Sequence, residues 1–441
     1  MRALMTACVV GAALFVVTCV SYGQMADSAE EDLTIWPNSV SKANSDPWIV
    51  ENHDKIRLMK PKVLVLNFCN GWGMDKAREK ADQLVAALKE GSRYHGFEDP
   101  KAPAFLEYQI VKLVDLRDKD ETVKTPDGNS TRYPRVPNWK PGSINFQYKQ
   151  LYSQEFAENY GYKDPRNPKR YLMLHELVDR GIINELWFFA YQKEFGAPFE
   201  CTELKPCYDE NFKRIPDKYA ASGNGGDPEE PWHGRSLRIN FINCERGIGC
   251  SMESLSHAIE GMAHSGVIPY FRKYFYEFAG FDLGQRYGIK EKDGILGTWP
   301  DVPVREGTSF YALWGEGKRI EYPDPETAVI KQPNQPDIVL HPYCAVGGNV
   351  HFTPNGRGHY DLENKDYVMS TIEHYRRFDG PDGKDIAEKW SNEKFAKYRD
   401  LAPDGMGPWL VYWRQCFPGL DNKSKLDDGT PMKNWWPFLF Y

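Results

Sequence analysis

The sequence predicts an α/β fold: a three-layer, mostly parallel, doubly wound sheet with a long irregular and helical C-terminal extension. Short apolar runs of the kind buried on both faces of a parallel sheet recur at residues 62–68, 108–114, 182–190 and 237–242. Amphipathic stretches at 75–89, 168–180 and 251–264 alternate with them, as right-handed strand–helix–strand crossovers require. After Gly266 the alternation decays.

At 441 residues the chain can bury a core without metal or disulfide staples. Its 62 acidic and 55 basic residues are mixed along the sequence, with no Lys/Arg block to track a phosphate backbone, which argues against nucleic acid as a partner. The aromatic share of 14%, with 13 Trp, favours stacking on flat or sugar-like ligands, and core packing explains most of the same residues.

Residues 1–23 carry one early charge at Arg2, an apolar run through Val20, and small Ser21 and Gly23 before a cleavage point. That pattern predicts a secretory signal peptide and a secreted or periplasmic protein, an uncleaved N-terminal anchor being the alternative and lipidation at Cys19 ranking third. Residues 24–60 read as a leader lying against the body, 61–365 as the α/β domain, and 366–441 as a Trp-rich extension packing on it. Export permits disulfides. Of nine cysteines, Cys8 and Cys19 fall in the leading segment, and the equal spacings Cys201/Cys207 and Cys244/Cys250 suggest two local bridges. Zinc is the weaker reading of these pairs, because five intervening residues exceed the usual ligand spacing.

In chain order, the helix at 75–89 opens at Asp75 as an N-cap, and Ala77, Leu84, Val85 and Leu88 form its inner face. Residues 117–139 read as an excursion, and Gly181 stops the helix at 168–180. A polar loop over 201–234 leads to the strand at 237–242. Beyond it, 267–278 reads as a helix, 289–346 as loop with short strands, and 366–378 and 384–398 as helices.

The helix at 251–264 carries the chemistry. Glu253, His257, Glu260 and His264 recur at i, i+4, i+7 and i+11, within about 60° of one another. Carboxylate and imidazole at these separations bind a divalent transition metal, or form an acid/base pair. The spacing is not that of HExxH. Met252, Leu255, Ile259 and Met262 occupy the opposite side, so the stripe faces solvent unless something roofs it. The loop before the helix offers Glu245 as acid or base and Arg246 as an anion clamp. A Gly-rich loop at 347–361 supplies His351, His359 and Asp361 as metal-type ligands beside Asn355 and Arg357. Folded over the helix, it would merge the two clusters into one site. Asn67, after the first strand, and Glu200, in the loop after the third, would line the same crevice. Neither GxGxxG nor GxxxxGK[ST] occurs, so no nucleotide cofactor is expected, and no GxSxG supports Ser254 or Ser256 as a nucleophile.

Glu185-Leu186-Trp187-Phe188-Phe189, then Asn243-Cys244-Glu245-Arg246-Gly247 with Glu253, His257 and Glu260, then the run from Gly348 through His351 to Asn355, resemble a family of large secreted bacterial α/β proteins of unsettled function. The likeness covers roughly residues 60–365. It implies export and an α/β fold and brings no activity. Together these readings lead to a secreted hydrolase, metal-assisted, acting on a polysaccharide or peptide. Glu245, Glu260 and His257 would be catalytic, and His257, His351, His359 and Asp361 the ligands of a divalent ion. Asn67, Glu200, Arg246, Asn355 and Arg357 would contact substrate. The alternative is a non-catalytic extracellular binding or envelope protein.

Overall fold

Val63 and Val65 enter one apolar cluster and Leu64 and Leu66 another, so the first strand is buried on both faces by strict alternation. It belongs to a six-stranded sheet in a computed structural model that describes residues 30–140, 143–192, 198–224, 230–288, 320–331 and 336–441. The expected signal segment 1–23, and residues 289–319 of the expected loop at 289–346, lie outside the described residues. Leu33–Tyr441 forms one contact-connected unit. Among the described residues no helix is long and apolar enough to cross a membrane.

The strands are β1 (Lys62–Asn67), β2 (Gln109–Asp115), β3 (Glu185–Ala190), β4 (Cys201–Tyr208), β5 (Arg214–Asn224) and β6 (Arg238–Asn243), in the order β2-β1-β3-β6-β4-β5. The first three and β6 run parallel, while β4 and β5 are an antiparallel hairpin added at the β6 edge. Asn67 pairs with Phe189, and Asn243 with Ala190, so β1, β3 and β6 end together at one sheet edge. The helices that matter below are α1 (Met74–Gly91), α2 (Leu174–Asp179), α3 (Ile248–Ser265), α4 (Pro269–Ala279) and α5 (Gly407–Gln415).

Where the sequence reads a polar loop over 201–234, the chain forms the β4–β5 hairpin. The misleading signal was charge. Glu203 and Lys205 are buried on β4 because Lys205 lies 3.6 Å from Glu203, and Arg238 bonds both Glu203 (3.2 Å) and Glu185 (2.7 Å). Glu185 also accepts from Tyr108, Trp187 and Asn240. Arg238 and Lys205 donate to the carbonyl of Leu439, which ties the chain's last residues into this network.

The helix expected at 168–180 is shorter, because Asn167–Tyr171 pairs with Lys163–Asp164 as strand and α2 starts only at Leu174. The helices expected at 366–378 and 384–398 are instead an antiparallel pair, Val368–Ser370 with Glu388–Trp390, each followed by a 3-10 turn. Arg376 and Phe378 take positive φ and donate their N–H groups to Asp385, which an α-helix cannot accommodate. α5 is buried along its whole length and so has no amphipathic period to reveal it. Trp409, Trp413, Trp435 and Trp436 are buried. The leader contributes a short strand, Ile35–Trp36, paired with Leu58–Met59.

The two local bridges do not form. Cys69, after β1, is bonded to Cys244, after β6, and Cys201, Cys207 and Cys250 are free thiols. Cys201 and Cys207 lie six residues apart along the extended β4, about 20 Å at strand rise, too far for a disulfide. The observed bridge joins loops at the common edge of β1, β3 and β6, and a disulfide is characteristic of oxidising compartments.

Candidate metal centre

The loop from β6 into α3 is held from the C-terminal side of the chain. Gly247 and Gly249 donate their N–H groups to Asp404 at 2.9 and 2.7 Å. A Cβ on Gly249 would lie 1.9 Å from the Asp404 carbonyl oxygen, so only glycine fits there. From Ile248 to Ala263 every residue of α3 is buried. Met252, Leu255, Ile259 and Met262 face the larger apolar cluster, while Glu253, His257 and Glu260 lie under residues 347–361. The roof that the sequence left conditional is present.

Trp409 and Trp413 of α5 position that roof by donating to the carbonyls of Asn349 and Gly348 at 2.9 and 2.8 Å. Asn349 Oδ1 in turn accepts from the N–H groups of His351 and Phe352. The result brings His351 Nε2 to 3.2 Å from His257 Nε2 and 3.0 Å from Glu253 Oε1, with His257 Nε2 4.0 Å from the same oxygen. These three atoms form a triangle whose centre lies about 2.0 Å from every corner, the length of a zinc bond to imidazole nitrogen or carboxylate oxygen. Glu253, His257 and His351 thus present one buried set of candidate metal ligands.

The surrounding bonds suit a metal site. Glu260 Oε2 is 2.9 Å from His257 Nδ1, which fixes the tautomer that leaves Nε2 facing the triangle, and Glu260 Oε1 is held by the Val350 N–H at 3.0 Å. Tyr360 donates its hydroxyl to Glu253. Glu200 Oε2 lies 3.7 Å from His257 Nε2 and accepts from Asn224.

Burial alone would lower the His257 pKa, but the Glu260 bond and the charges of Glu200 and Glu253 push it up to about 9. Burial acts to raise Glu253 and Glu260, and their bonds to His351 and Tyr360, and to His257, hold both below the usual carboxylate range. His351 is lowered by burial, and His359 falls to about 3 by burial and the nearby His351. Glu253, Glu260 and Glu200 thus lie around His257, a concentration of acidic groups that a divalent cation would balance. Such a cation competes with the His257 proton.

The other expected site residues distribute as follows. His359 packs against His351 with its ring tilted, 4.2 Å between ring centres, one step outside the donor set. Asp361 is held by Arg357 through two contacts of 2.7 and 3.1 Å. Asn355 is buried and bonds the carbonyls of Asn364 and Asp366, and Asn67 closes its own turn by bonding Cys69 and Trp72. Glu245 and Arg246 are exposed, Arg246 reaching the Cys250 thiol at 3.8 Å. His264 leaves the cluster and bonds Tyr276. Sequence reasoning placed Glu253 in the stripe but not in the ligand set, and it missed Tyr360 and Asn224. Tyr360 stood in the singled-out loop, whereas nothing local pointed to Asn224.

Comparison with protein-family models, with curated proteins and with solved structures finds no match to this chain.

Proposed function

We propose that this chain is an exported, metal-assisted hydrolase acting on a polysaccharide or peptide, with Glu253, His257 and His351 holding the divalent ion. The observation that carries the reading is the donor triangle, closed by side chains from two segments far apart in sequence. An ion so held supplies Lewis acidity and a more acidic water. Glu200, its side chain 31% exposed, is the carboxylate of the cluster best placed to take up a proton from that side. Glu260 holds His257 in its ligating tautomer, and Tyr360 keeps Glu253 oriented. The exposed Tyr360 and Arg246 offer a stacking surface and a cation for a polar substrate. On this reading the chain belongs with the exported α/β family its motifs resemble, and the two apolar clusters support a three-layer arrangement around the sheet.

The test joins elemental analysis of the purified protein to a turnover screen on glycans and peptides, with Glu200→Gln as the control. One ion per chain and a hydrolytic activity that Glu200→Gln abolishes without loss of the ion support the proposal. Absence of a stoichiometric ion overturns it. A second reading, a non-catalytic binding protein, is favoured by the mutual pairing of the cluster, in which His257 is bracketed by carboxylates. It predicts saturable glycan or peptide binding without turnover.

A further inference from the structure

A second buried charge lies outside the ligand set. Arg414, on α5, is 2% exposed. Its stem packs on α1 where Gly91 leaves room, since a Cβ there would lie 3.3 Å from Arg414 Nε, and its guanidinium stands 4.8 Å from the centre of the Trp436 ring. The Nε is buried without a hydrogen-bond acceptor, and among the described residues no carboxylate forms an ion pair with the group. Guanidinium does not shed its charge to escape such a setting, even though burial draws its pKa down to about 10.

Tyr108, Arg238 and Glu185 act on the guanidinium electrostatically. Glu185 cannot serve Arg414, because both its oxygens are engaged by Arg238, Tyr108, Trp187 and Asn240. Glu203 is likewise taken by Arg238 and Lys205. Arg238 and Arg414 both act on Glu185, whose oxygens Arg238 and its neighbours already engage, so the Arg414 guanidinium has no bonded counter-charge among the described residues. A buried uncompensated charge is strongly unfavourable, and the group that bears it here is a forked donor built for anions.

We propose that Arg414 binds a small monovalent inorganic anion of the chloride class in the core, between α1, α5 and Trp436. One negative charge matches the one guanidinium, and the indole wall favours a weakly hydrated halide over sulfate or phosphate. Because Trp436 belongs to the C-terminal segment whose Leu439 carbonyl is held by Arg238 and Lys205, the anion would lock that segment to the helices.

Bromide supplies the probe. Crystals of the full chain grown in sodium bromide are expected to show an anomalous peak at hydrogen-bond distance from the Arg414 guanidinium. Thermal unfolding in solution should give a Tm a few degrees higher in sodium bromide or chloride than in sodium gluconate at matched ionic strength and pH. Arg414→Gln should erase that difference, and Arg414→Lys should keep part of it. Solvent density without anomalous signal, or a peak without any halide dependence of the wild-type Tm, overturns the proposal. The two wild-type measurements decide the matter even if Arg414→Gln does not fold.

Discussion

His257 and His351 meet through their Nε2 atoms at 3.2 Å although 94 residues separate them in the chain. One comes from a buried helix and the other from an irregular loop, and the helix's Glu253 closes the set. Two imidazole nitrogens at this distance in a buried pocket require either a shared proton or a shared cation.

Removing either imidazole is expected to abolish stoichiometric metal. Isothermal titration of the chelator-stripped protein with zinc should show one site in the wild type and none in His257→Ala or His351→Ala. Glu260→Gln, which alters the bond to the far nitrogen of His257 and not a ligand atom, should weaken binding by about 10–100-fold. Unchanged affinity in all three would remove the metal reading.

Tyr360→Phe separates orientation from ligation. The loss of one hydroxyl bond to Glu253 should lower zinc affinity by about tenfold or more while leaving Tm nearly unchanged, because Tyr360 is 43% exposed.

Acid stability should depend on His53. Its ring is held between Tyr441 and the Asn434 carbonyl, and burial, with Lys433 nearby, lowers its pKa from 6.5 to about 4. Because the folded value lies below the unfolded one, the imidazole stays neutral in the fold while the unfolded chain takes up a proton. This stability is complete above pH 6.5 and is lost progressively as pH falls towards 4, by at most about 1.4 kcal/mol per pH unit. Denaturant melts of wild type and His53→Gln from pH 7 to 4 should show a shallower acid limb in the variant.

Gly261→Ala should damage both fold and site. A Cβ there would lie 2.4 Å from the Gly223 nitrogen and 2.6 Å from its carbonyl oxygen, so β5 would have to move, and with it Asn224, which holds Glu200. A loss of about 1–3 kcal/mol in chemical denaturation is expected, together with reduced turnover of any substrate found.

Non-reducing peptide mapping should yield one cross-link, Cys69 to Cys244, and none within the 201–207 or 244–250 segments. With 175 residues between the partners, Cys69→Ser should cost about 2–5 kcal/mol in chemical denaturation.

Local sequence determined the parallel core strands and the helix that bears Glu253, His257 and Glu260. Both signals are periodicities of apolar side chains, which act over a few residues. It also singled out the 347–361 loop, through its glycines and histidines. Tertiary structure alone decided that the polar stripe of α3 is buried, because the roof is held by Trp409 and Trp413 of a helix that is buried on every side and shows no amphipathic period. It decided that β4 is a strand, because Arg238 neutralises the acidic charge that mimics a loop. The disulfide partners follow the same rule: equal spacing along the chain says nothing about which loops meet at a sheet edge, and only the strand order brings Cys69 to Cys244. Periodicity is a local property, while the pairing of charges, thiols and ligands is set by which distant segments the packed core brings into contact.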